Sequence, residues 1–212
     1  ESYYILDAKE DAHVYLGLKE GIDKEEMISD LESAQRKEIV FDADKYINKF
    51  PAKKHDHFLI PAGTCHCSGK NAMVLEISAT PYIFTFKLWD WQRLGLDGLP
   101  RPINIEHGKH VIQWDRTTEW VKENLVNATY EVKEEENDCK IEHTGLHELE
   151  FIETRRYTVK DNSFHKTYGT VNMLNLIDGK SAIIEGDFEP FIVHYAETFI
   201  IPASIKEYTI KP

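Results

Sequence analysis

One histidine stands in a setting that could place its ring on a metal ion. His66 closes a stretch in which the apolar run 58–60 is followed by Pro61 and Gly63. The run predicts a strand, and the proline–glycine turn would bring the imidazole back toward the sheet. Imidazole is the commonest metal ligand among side chains. His66 is therefore the leading candidate for a metal ligand, and a histidine in an ordinary Pro-Ala-Gly turn is the alternative.

The side chains around His66 make poor additional ligands. Cys65 and Cys67 alternate with it, so on a strand both thiols would point to the opposite face from the imidazole. His55 and His57 share one face of the preceding segment, at a spacing out of step with His66. We expect none of these four residues to bind the metal.

The composition narrows the classes of function. The chain has 212 residues, with 25 basic and 37 acidic side chains and a formal net charge of −12. Because a nucleic-acid backbone requires a basic face, this balance disfavours nucleic acid as a partner. No apolar run reaches the ~18 to 20 residues of a membrane span, and no signal-peptide pattern opens the chain. Its 3 cysteines, an odd number, indicate a reducing compartment, so we expect a cytoplasmic protein without a membrane partner.

The elements that must position these residues are mostly strands. Short runs rich in β-branched and aromatic residues recur along the chain, which is typical of an all-β sandwich or barrel. Two of the predicted strands cover residues 82–88 and 151–159. Helical spacing of apolar residues is confined to residues 24–37 and 117–125. The helices are therefore expected to be insertions in a β framework.

The chain carries two versions of one β unit. Residues 199–207 repeat residues 58–66 position by position, with Glu207 in the place of His66. Upstream of each copy lies a matching strand and turn, in which Glu1 of the first copy corresponds to Asn172 of the second. Asparagine and one glutamate make a poor divalent-metal site. Metal chemistry is therefore expected in the first copy, and the second is expected to be structural.

These motifs resemble the type I mannose-6-phosphate isomerases (phosphomannose isomerases) of the cupin superfamily. Glu1-Ser-Tyr-Tyr-Ile-Leu-Asp-Ala is similar to the family's Glu-Met-Trp-Tyr-Val-Leu-Asp-Ala strand, and Ile60-Pro-Ala-Gly-Thr-Cys-His to its Ile-Pro-Ala-Gly-Thr-x-His turn. Trp89-Asp-Trp-Gln-Arg and Leu96-Asp-Gly-Leu-Pro-Arg-Pro are similar to its Tyr-Asp-Trp-x-Arg and Leu-Asp-Gly-Lys-Pro-Arg-Pro segments. The resemblance covers nearly all of the chain.

The resemblance implies an all-β fold in which a double-stranded β-helix, the cupin or jelly-roll barrel, occurs twice. Residues 1–115 would form the first barrel, with a small helical insertion at about 21–50. Residues 116–145 would connect it to a second, degenerate barrel at 146–212.

A zinc site in the first barrel is also implied. Glu1 and His66 would hold one Zn²⁺ together with a Gln and a His that the family carries upstream of this Glu. The chain begins at Glu1 without a methionine, so we expect sequence upstream that would supply them. Because catalytic zinc takes three protein ligands, the site of this chain alone is expected to be incomplete.

Further side chains gain roles from the resemblance. Lys87 stands where the family has its catalytic arginine, an exchange that keeps the charge and loses the bidentate fork. Glu76, on the strand after the metal turn, is a second catalytic candidate. Asp90, Arg93 and Arg101 are expected to order a substrate loop. A lysine at a strand end, an outward-facing glutamate and an ion pair at the rim are the structural alternatives.

The implied activity is the interconversion of mannose 6-phosphate and fructose 6-phosphate through a cis-enediol, with a phosphorylated hexose as the partner. An aldose–ketose isomerase of this kind uses its metal to polarise substrate oxygens. Two other functions stay open. One is a non-catalytic sugar-binding or structural cupin, and the other is a metal-dependent dioxygenase, which needs more His ligands close to Glu1. The oligomeric state and the exact sugar also stay open.

Overall fold

A computed structural model of the chain describes residues 1–79, 85–133, 139–145 and 153–212. These residues form two compact units. Unit 1 comprises residues 1–128, and unit 2 comprises the described residues from 129 onward. Strand residues outnumber helical residues in the described part of the chain, which confirms its predicted β character.

The described residues of unit 1 form six strands and four helices. The helices predicted at 24–37 and 117–125 are both present, the first of them between two strands. The strands are β1 (Ser2–Ala8), β2 (His13–Leu18), β3 (Ile47–Pro51), β4 (His57–Leu59), β5 (His66–Ser68) and β6 (Ala72–Ile77). The helices are α1 (Lys24–Gln35), α2 (Ala43–Tyr46), α3 (Ile105–Gly108) and α4 (Thr118–Asn124).

Two antiparallel sheets carry the candidate residues of unit 1. Strand β1 lies between β4 and β6 in one sheet, and β2 lies between β3 and β5 in the other. Tyr3 of β1 is directly opposite Glu76 of β6, and Leu16 of β2 is opposite His66 of β5. Opposed residues on antiparallel strands point to the same face, and side chains alternate along each strand. Glu76 therefore shares a face with both Tyr3 and Glu1.

Unit 1 has two clusters of buried apolar side chains. The first joins β1, β2 and β4 to α4, and it includes Ile5 and Val121, both without solvent exposure. The second packs α1 and α2 against β2 and β3, and Cys65 and Cys67 lie against it. The two thiols therefore face away from the imidazole of His66, as the alternation predicts.

Helix α1 begins and packs as its sequence indicates. The Asp23 carboxylate accepts a hydrogen bond of 2.9 Å from a backbone N–H of the first turn, which caps the helix. Met27 and Leu31, one turn apart, are each 1% exposed in the second cluster. The Tyr46 hydroxyl of α2 donates to the Asp30 carboxylate at 2.5 Å. Apolar packing thus anchors the insertion to β2 and β3, and a hydrogen bond joins its two helices.

The described residues of unit 2 form nine strands in three sheets, ordered β7-β8-β9, β10-β15-β12-β13 and β11-β14. Its core includes Ile184 and Tyr208, both almost fully buried. The strands are β7 (Tyr130–Val132), β8 (Lys140–His143), β9 (Arg155–Thr158), β10 (Ser163–Lys166), β11 (Asn172–Asn175), β12 (Ser181–Gly186), β13 (Phe188–His194), β14 (Thr198–Ile201) and β15 (Glu207–Lys211).

The internal repeat found in the sequence recurs as the same strand pairing inside each unit. Tyr3 is opposite Phe58 in unit 1, and the aligned Leu174 is opposite Phe199 in unit 2. The pairing of β2 with β5 recurs likewise as the pairing of β12 with β15. The two copies therefore share a register and differ in their side chains.

The strand predicted at residues 82–88 is not present over 85–88. Residues 80–84 lie outside the described part of the chain, and 85–88 are irregular. The Lys87 carbonyl accepts a hydrogen bond of 2.7 Å from the Asn104 amide, and Leu88 packs on the second cluster. The backbone and side chains of this segment therefore find their partners in a loop and not in a sheet. Of the strand predicted at 151–159, β9 is present, and residues 151–152 lie outside the described part.

The predicted domain limits at 115 and 145 stay predictions. Helix α4 packs in the core of unit 1, whereas β7 and β8 pair in unit 2 with β9. Residues 134–138 and 146–152 are outside the described residues. None of the described helices has the length and apolar character to cross a membrane.

Removing the Leu125 side chain should destabilise unit 1. Leu125 has no solvent exposure, and its carbonyl accepts a hydrogen bond of 2.8 Å from the Leu59 amide. We expect Leu125→Ala to lower the free energy of unfolding by about 2 to 5 kcal/mol in urea denaturation, because a cavity replaces packed apolar atoms. Hydrogen exchange at Leu59 should accelerate. Glu123→Ala, at an exposed position of the same helix, should stay within about 0.5 kcal/mol, and equal losses for the two variants would contradict the packing of α4.

Candidate functional site

Glu1 and His66 meet side by side in unit 1. His66 Nε2 lies 2.5 Å from Glu1 Oε1, and the two side chains are 22% and 17% exposed. The other ring nitrogen, Nδ1, lies 2.8 Å from the Thr64 carbonyl oxygen. A carbonyl can only accept, so Nδ1 carries a hydrogen and donates it. Nε2 is therefore the nitrogen that His66 presents to Glu1 or to a ligand.

The turn before His66 is fixed by a glycine and an arginine. Gly63 has a φ of +83°, and a Cβ there would lie 2.4 Å from a neighbouring carbonyl oxygen. Arg116 Nη1 donates to the Pro61 carbonyl at 2.9 Å and to the Thr64 hydroxyl at 2.6 Å. The Thr64 carbonyl in turn accepts from His66. Arg116 thus acts on the ring orientation of His66 through the turn.

Glu76 and Tyr3 complete the cluster on this face. A hydrogen bond joins the carboxyl groups of Glu1 and Glu76. The Tyr3 ring packs edge-on against the His66 ring, with 5.8 Å between centroids and an interplanar angle of 73°. Tyr3 is buried and Glu76 is exposed. We refer to Glu1, Tyr3, His66 and Glu76 as the site cluster.

The charges in the site cluster are coupled. Burial raises the pKa of Glu1, but the hydrogen bond and charge of His66 outweigh it and hold that pKa below its ordinary value. Burial lowers the pKa of His66, and Glu1 reverses this so that the pKa is raised overall. Burial and the charge of Glu1 raise the pKa of Glu76. When the carboxyl pair holds one proton, that proton is therefore on Glu76, which donates it to Glu1.

A second group of charged side chains forms around Asp90. Its carboxylate oxygen Oδ2 lies 3.1 Å from Arg101 Nε and 3.6 Å from Lys87 Nζ, and the Asp90 side chain is 11% exposed. The backbone amide of Arg93 donates to the Asp90 carbonyl at 2.9 Å, and the Arg101 amide donates to the Arg93 carbonyl at 3.1 Å. Asp90 thus anchors a hairpin loop by pairing with a cation at each end. Among the described residues, Arg93 makes only backbone contacts with this group.

The structure brings the predicted site residues together in two places. Glu1, His66 and Glu76 lie in the site cluster, and Lys87, Asp90 and Arg101 lie in the hairpin. No hydrogen bond or ion pair joins these groups within the described residues. The hairpin contacts β2 on the face opposite the site cluster, where Trp91 packs on Tyr15 with 5.8 Å between ring centroids.

The donor atoms present suit a metal ion in kind and are too few in number. A ligand histidine ordinarily donates its other N–H to a carbonyl or carboxylate, and His66 does so. Catalytic zinc takes three protein ligands, often including a carboxylate. No set of three or more His, Cys, Asp or Glu side chains suited to a metal occurs among the residues that the structure describes. Glu1 and His66 can thus be part of a zinc site and cannot complete one.

In unit 2, the residue aligned with Glu1 is engaged in a hydrogen bond within the unit. Asn172, aligned with Glu1, donates from Nδ2 to the Tyr208 hydroxyl at 3.1 Å. The Tyr208 ring stacks on the buried His165 ring with 5.0 Å between centroids. Glu207, aligned with His66, is exposed. The residue aligned with Glu1 is thus hydrogen-bonded to an aromatic side chain, and the residue aligned with His66 is exposed.

Sequence reasoning missed two residues of the site. Tyr3 could have been found, because it lies two positions after Glu1 on a predicted strand and so shares its face. Arg116 could not, because it is far from His66 in the sequence and fell in the predicted connection. Only the tertiary contact with the 61–64 turn reveals its role.

Proteins named mannose-6-phosphate isomerase match this chain over its whole length. "Probable mannose-6-phosphate isomerase GmuF" of Bacillus subtilis is 26% identical over 211 residues, which cover 100% of this chain and 61% of the relative. "Mannose-6-phosphate isomerase ManA" of Bacillus subtilis is 22% identical over 212 residues, again 61% of the relative. A mannose-6-phosphate isomerase of Streptococcus mutans is 30% identical over 112 residues, 53% of this chain and 33% of the relative. The chain thus spans less than two thirds of these relatives. No family model matches it.

Solved structures show the same fold. The mannose 6-phosphate isomerase of Bacillus subtilis matches 99% of this chain with a TM-score of 0.69 and 17% identity, over 60% of its own length. A variant of the phosphomannose isomerase of Salmonella typhimurium matches 99% of this chain with a TM-score of 0.56 and 11% identity, over 63% of its length. At these identities the likeness establishes the fold.

Adding a methyl group at Gly63 should displace the turn that carries His66. Gly63→Ala combines a left-handed backbone, which costs an L-residue about 1 to 2 kcal/mol, with a clash against Val111 and Gln113 that adds about 1 to 3 kcal/mol. Gly21→Ala is the matched control, because Gly21 has a φ of +69° and an added Cβ would meet no atom within 4 Å. Urea unfolding should show a clearly larger loss for Gly63→Ala, and equal losses would contradict the close contact.

Proposed function

This chain is related along its whole length to the mannose-6-phosphate isomerases, and we propose that it carries most of an aldose–ketose isomerase that interconverts mannose 6-phosphate and fructose 6-phosphate. The observation that carries the proposal is the Glu1–His66 contact with the His66 ring held by Thr64. These are the two residues on which the family resemblance would place metal binding. The match over the full chain supports the same activity.

The proposed fold is a bicupin. We assign the first barrel to residues 1–115, with α1 and α2 as its helical insertion between β2 and β3. Residues 116–145 would connect it to the second, degenerate barrel at 146–212. The shared register of the two copies supports the assignment, since the pairings of β1 with β4 and of β2 with β5 recur in unit 2.

Zinc is the proposed cofactor, held in part by Glu1 and His66. Bound zinc would act as a Lewis acid on the substrate oxygens. Arg116 would keep the Nε2 atom of His66 aimed at that position through the 61–64 turn. The remaining ligands would come from outside the described residues. The donor set in hand is incomplete, so the steps assigned below concern only side chains of this chain.

Isomerisation moves a proton between C1 and C2 of the open-chain sugar. Glu76 faces the site cluster, is exposed to solvent and already exchanges a hydrogen bond with Glu1, so it is placed to exchange a proton with a bound sugar. The Lys87 ammonium, which is paired with Asp90 in the structure, would have to move from the hairpin toward the site cluster to offset the negative charge of the enediolate. Asp90 and Arg101 would hold the hairpin and set the starting position of Lys87, which Asp90 pairs at 3.6 Å.

Loss of the Lys87 ammonium should lower turnover. With protein made from its complete gene, we expect Lys87→Ala to reduce kcat by about 10²- to 10⁴-fold in a coupled assay on mannose 6-phosphate. The hairpin should persist because Arg101 still pairs with Asp90. Lys87→Arg restores the residue found in the resembling family and should keep most of the activity. Normal turnover in Lys87→Ala would remove the residue from the mechanism.

The 212-residue chain alone should bind zinc weakly. With two protein ligands in place of three, we expect less than one equivalent of zinc after dialysis, measured by elemental analysis. His66→Ala should abolish the residual binding, whereas His194→Ala, a change at an exposed histidine paired with Glu197, should leave it unchanged. Tight, stoichiometric zinc at Glu1 and His66 alone would contradict the incomplete site.

A further inference from the structure

One buried hydroxyl group in the site cluster is not used by the fold. Tyr3 is 7% exposed, and its ring is fixed between the apolar core and the edge of His66. Its hydroxyl makes no hydrogen bond with any residue in the described ranges. The hydroxyl oxygen is not fully buried, so solvent or a ligand can reach it. The fold therefore leaves a polar group open at the site.

The other buried tyrosines show that this is unusual within the molecule. The Tyr4 hydroxyl lies 2.9 Å from a ring nitrogen of His55, and the Tyr46 hydroxyl donates to Asp30 at 2.5 Å. Tyr208 accepts from an asparagine amide, and Tyr15 is hydrogen-bonded to an aspartate. A buried tyrosine hydroxyl usually has such a partner. Tyr3 is the exception among the buried tyrosines that the structure describes.

The surroundings of Tyr3 favour a ligand that can accept a hydrogen bond. Tyr3 shares a strand face with Glu1 and is directly opposite Glu76. The Tyr3 phenol carries an O–H group that can donate to such a ligand. Carboxylates cannot stabilise an oxygen that gains negative charge, whereas a neutral O–H group in a shielded site can. Tyr3 supplies the neutral donor on this wall of the site cluster.

We infer that Tyr3 contacts the substrate and donates a hydrogen bond from its hydroxyl to an oxygen at the C1–C2 end of an open-chain hexose phosphate. The inference rests on the proposed isomerase function. The same hydrogen bond holds the sugar in the ground state and strengthens as the oxygen acquires enediolate charge. Tyr3 is then a catalytic residue, and its effect falls on kcat more than on KM.

The test is Tyr3→Phe in protein made from its complete gene, with fructose 6-phosphate and inorganic phosphate as calorimetric probes. Affinity for fructose 6-phosphate should fall about three- to tenfold, the effect of one neutral hydrogen bond. Affinity for inorganic phosphate should not change, because the contact is at the other end of the sugar. In the coupled assay kcat should fall by about 10²-fold, as on removal of an oxyanion donor. The matched control is Tyr4→Phe, which removes a hydroxyl from the opposite face of the same strand and should leave both affinities and kcat unchanged.

A second variant separates hydrogen bonding from packing. Tyr3→Trp introduces the residue that the resembling family has at this position, which carries an N–H donor, and it should retain more turnover than Tyr3→Phe. Thermal unfolding should show that Tyr3→Phe is folded, because the ring is kept. Wild-type kcat and sugar affinity in Tyr3→Phe would overturn the role of Tyr3 and leave the isomerase intact. A wild-type protein that neither binds nor turns over the sugar phosphate would overturn the proposed function and this inference together.

Discussion

The guanidinium of Arg116 holds the turn on which the site depends. The carbonyl groups of the Pro-Ala-Gly turn need hydrogen-bond donors as the chain packs. Arg116, from a segment far away in sequence, donates to the Pro61 and Ala62 carbonyls and to the Thr64 hydroxyl. Arg116 is half-buried, and this desolvation lowers its pKa. With the turn fixed, the Thr64 carbonyl sets the His66 ring, and Nε2 can face only Glu1.

The repeat and the strand periodicity allowed much of the fold to be predicted from sequence. Helices α1 and α4 were predicted because apolar residues such as Met27 and Leu31 recur at helical spacing. The orientation of Cys65 and Cys67 away from His66 follows from alternation alone. Register was not predicted, because opposed pairs such as Tyr3 and Glu76 depend on contacts between distant strands. Glu76 could therefore be named as a candidate, but its hydrogen bond to Glu1 could not.

The segment after residue 84 shows where local reasoning fails. Its aromatic and apolar residues have high strand propensity, but propensity for strands measures packing on a pleated surface more than a backbone preference. Phe86 and Leu88 find that packing against Gly108 without a sheet. The Asn104 amide donates a hydrogen bond to the Lys87 carbonyl, which in a sheet would accept from a neighbouring strand. Asp90 then draws in Lys87 and Arg101, and this pairing across a long loop has no local signal in the sequence.

Comparison of the two copies of the β unit distinguishes the features that the fold requires from those that a ligand would require. Their strand registers agree, so the β unit does not need a carboxylate and an imidazole to fold. In unit 2 the aligned Asn172 is paired with the Tyr208 hydroxyl, and that ring stacks on His165. Neutral, hydrogen-bonded and stacked side chains avoid the cost of burying charge. Unit 1 keeps the coupled charges of Glu1, His66 and Glu76 at the same place in the repeat. The fold does not require this arrangement, since the second copy does without it, and a charged pair beside a solvent-reachable carboxyl group suits the ligand-binding role that we propose for these residues.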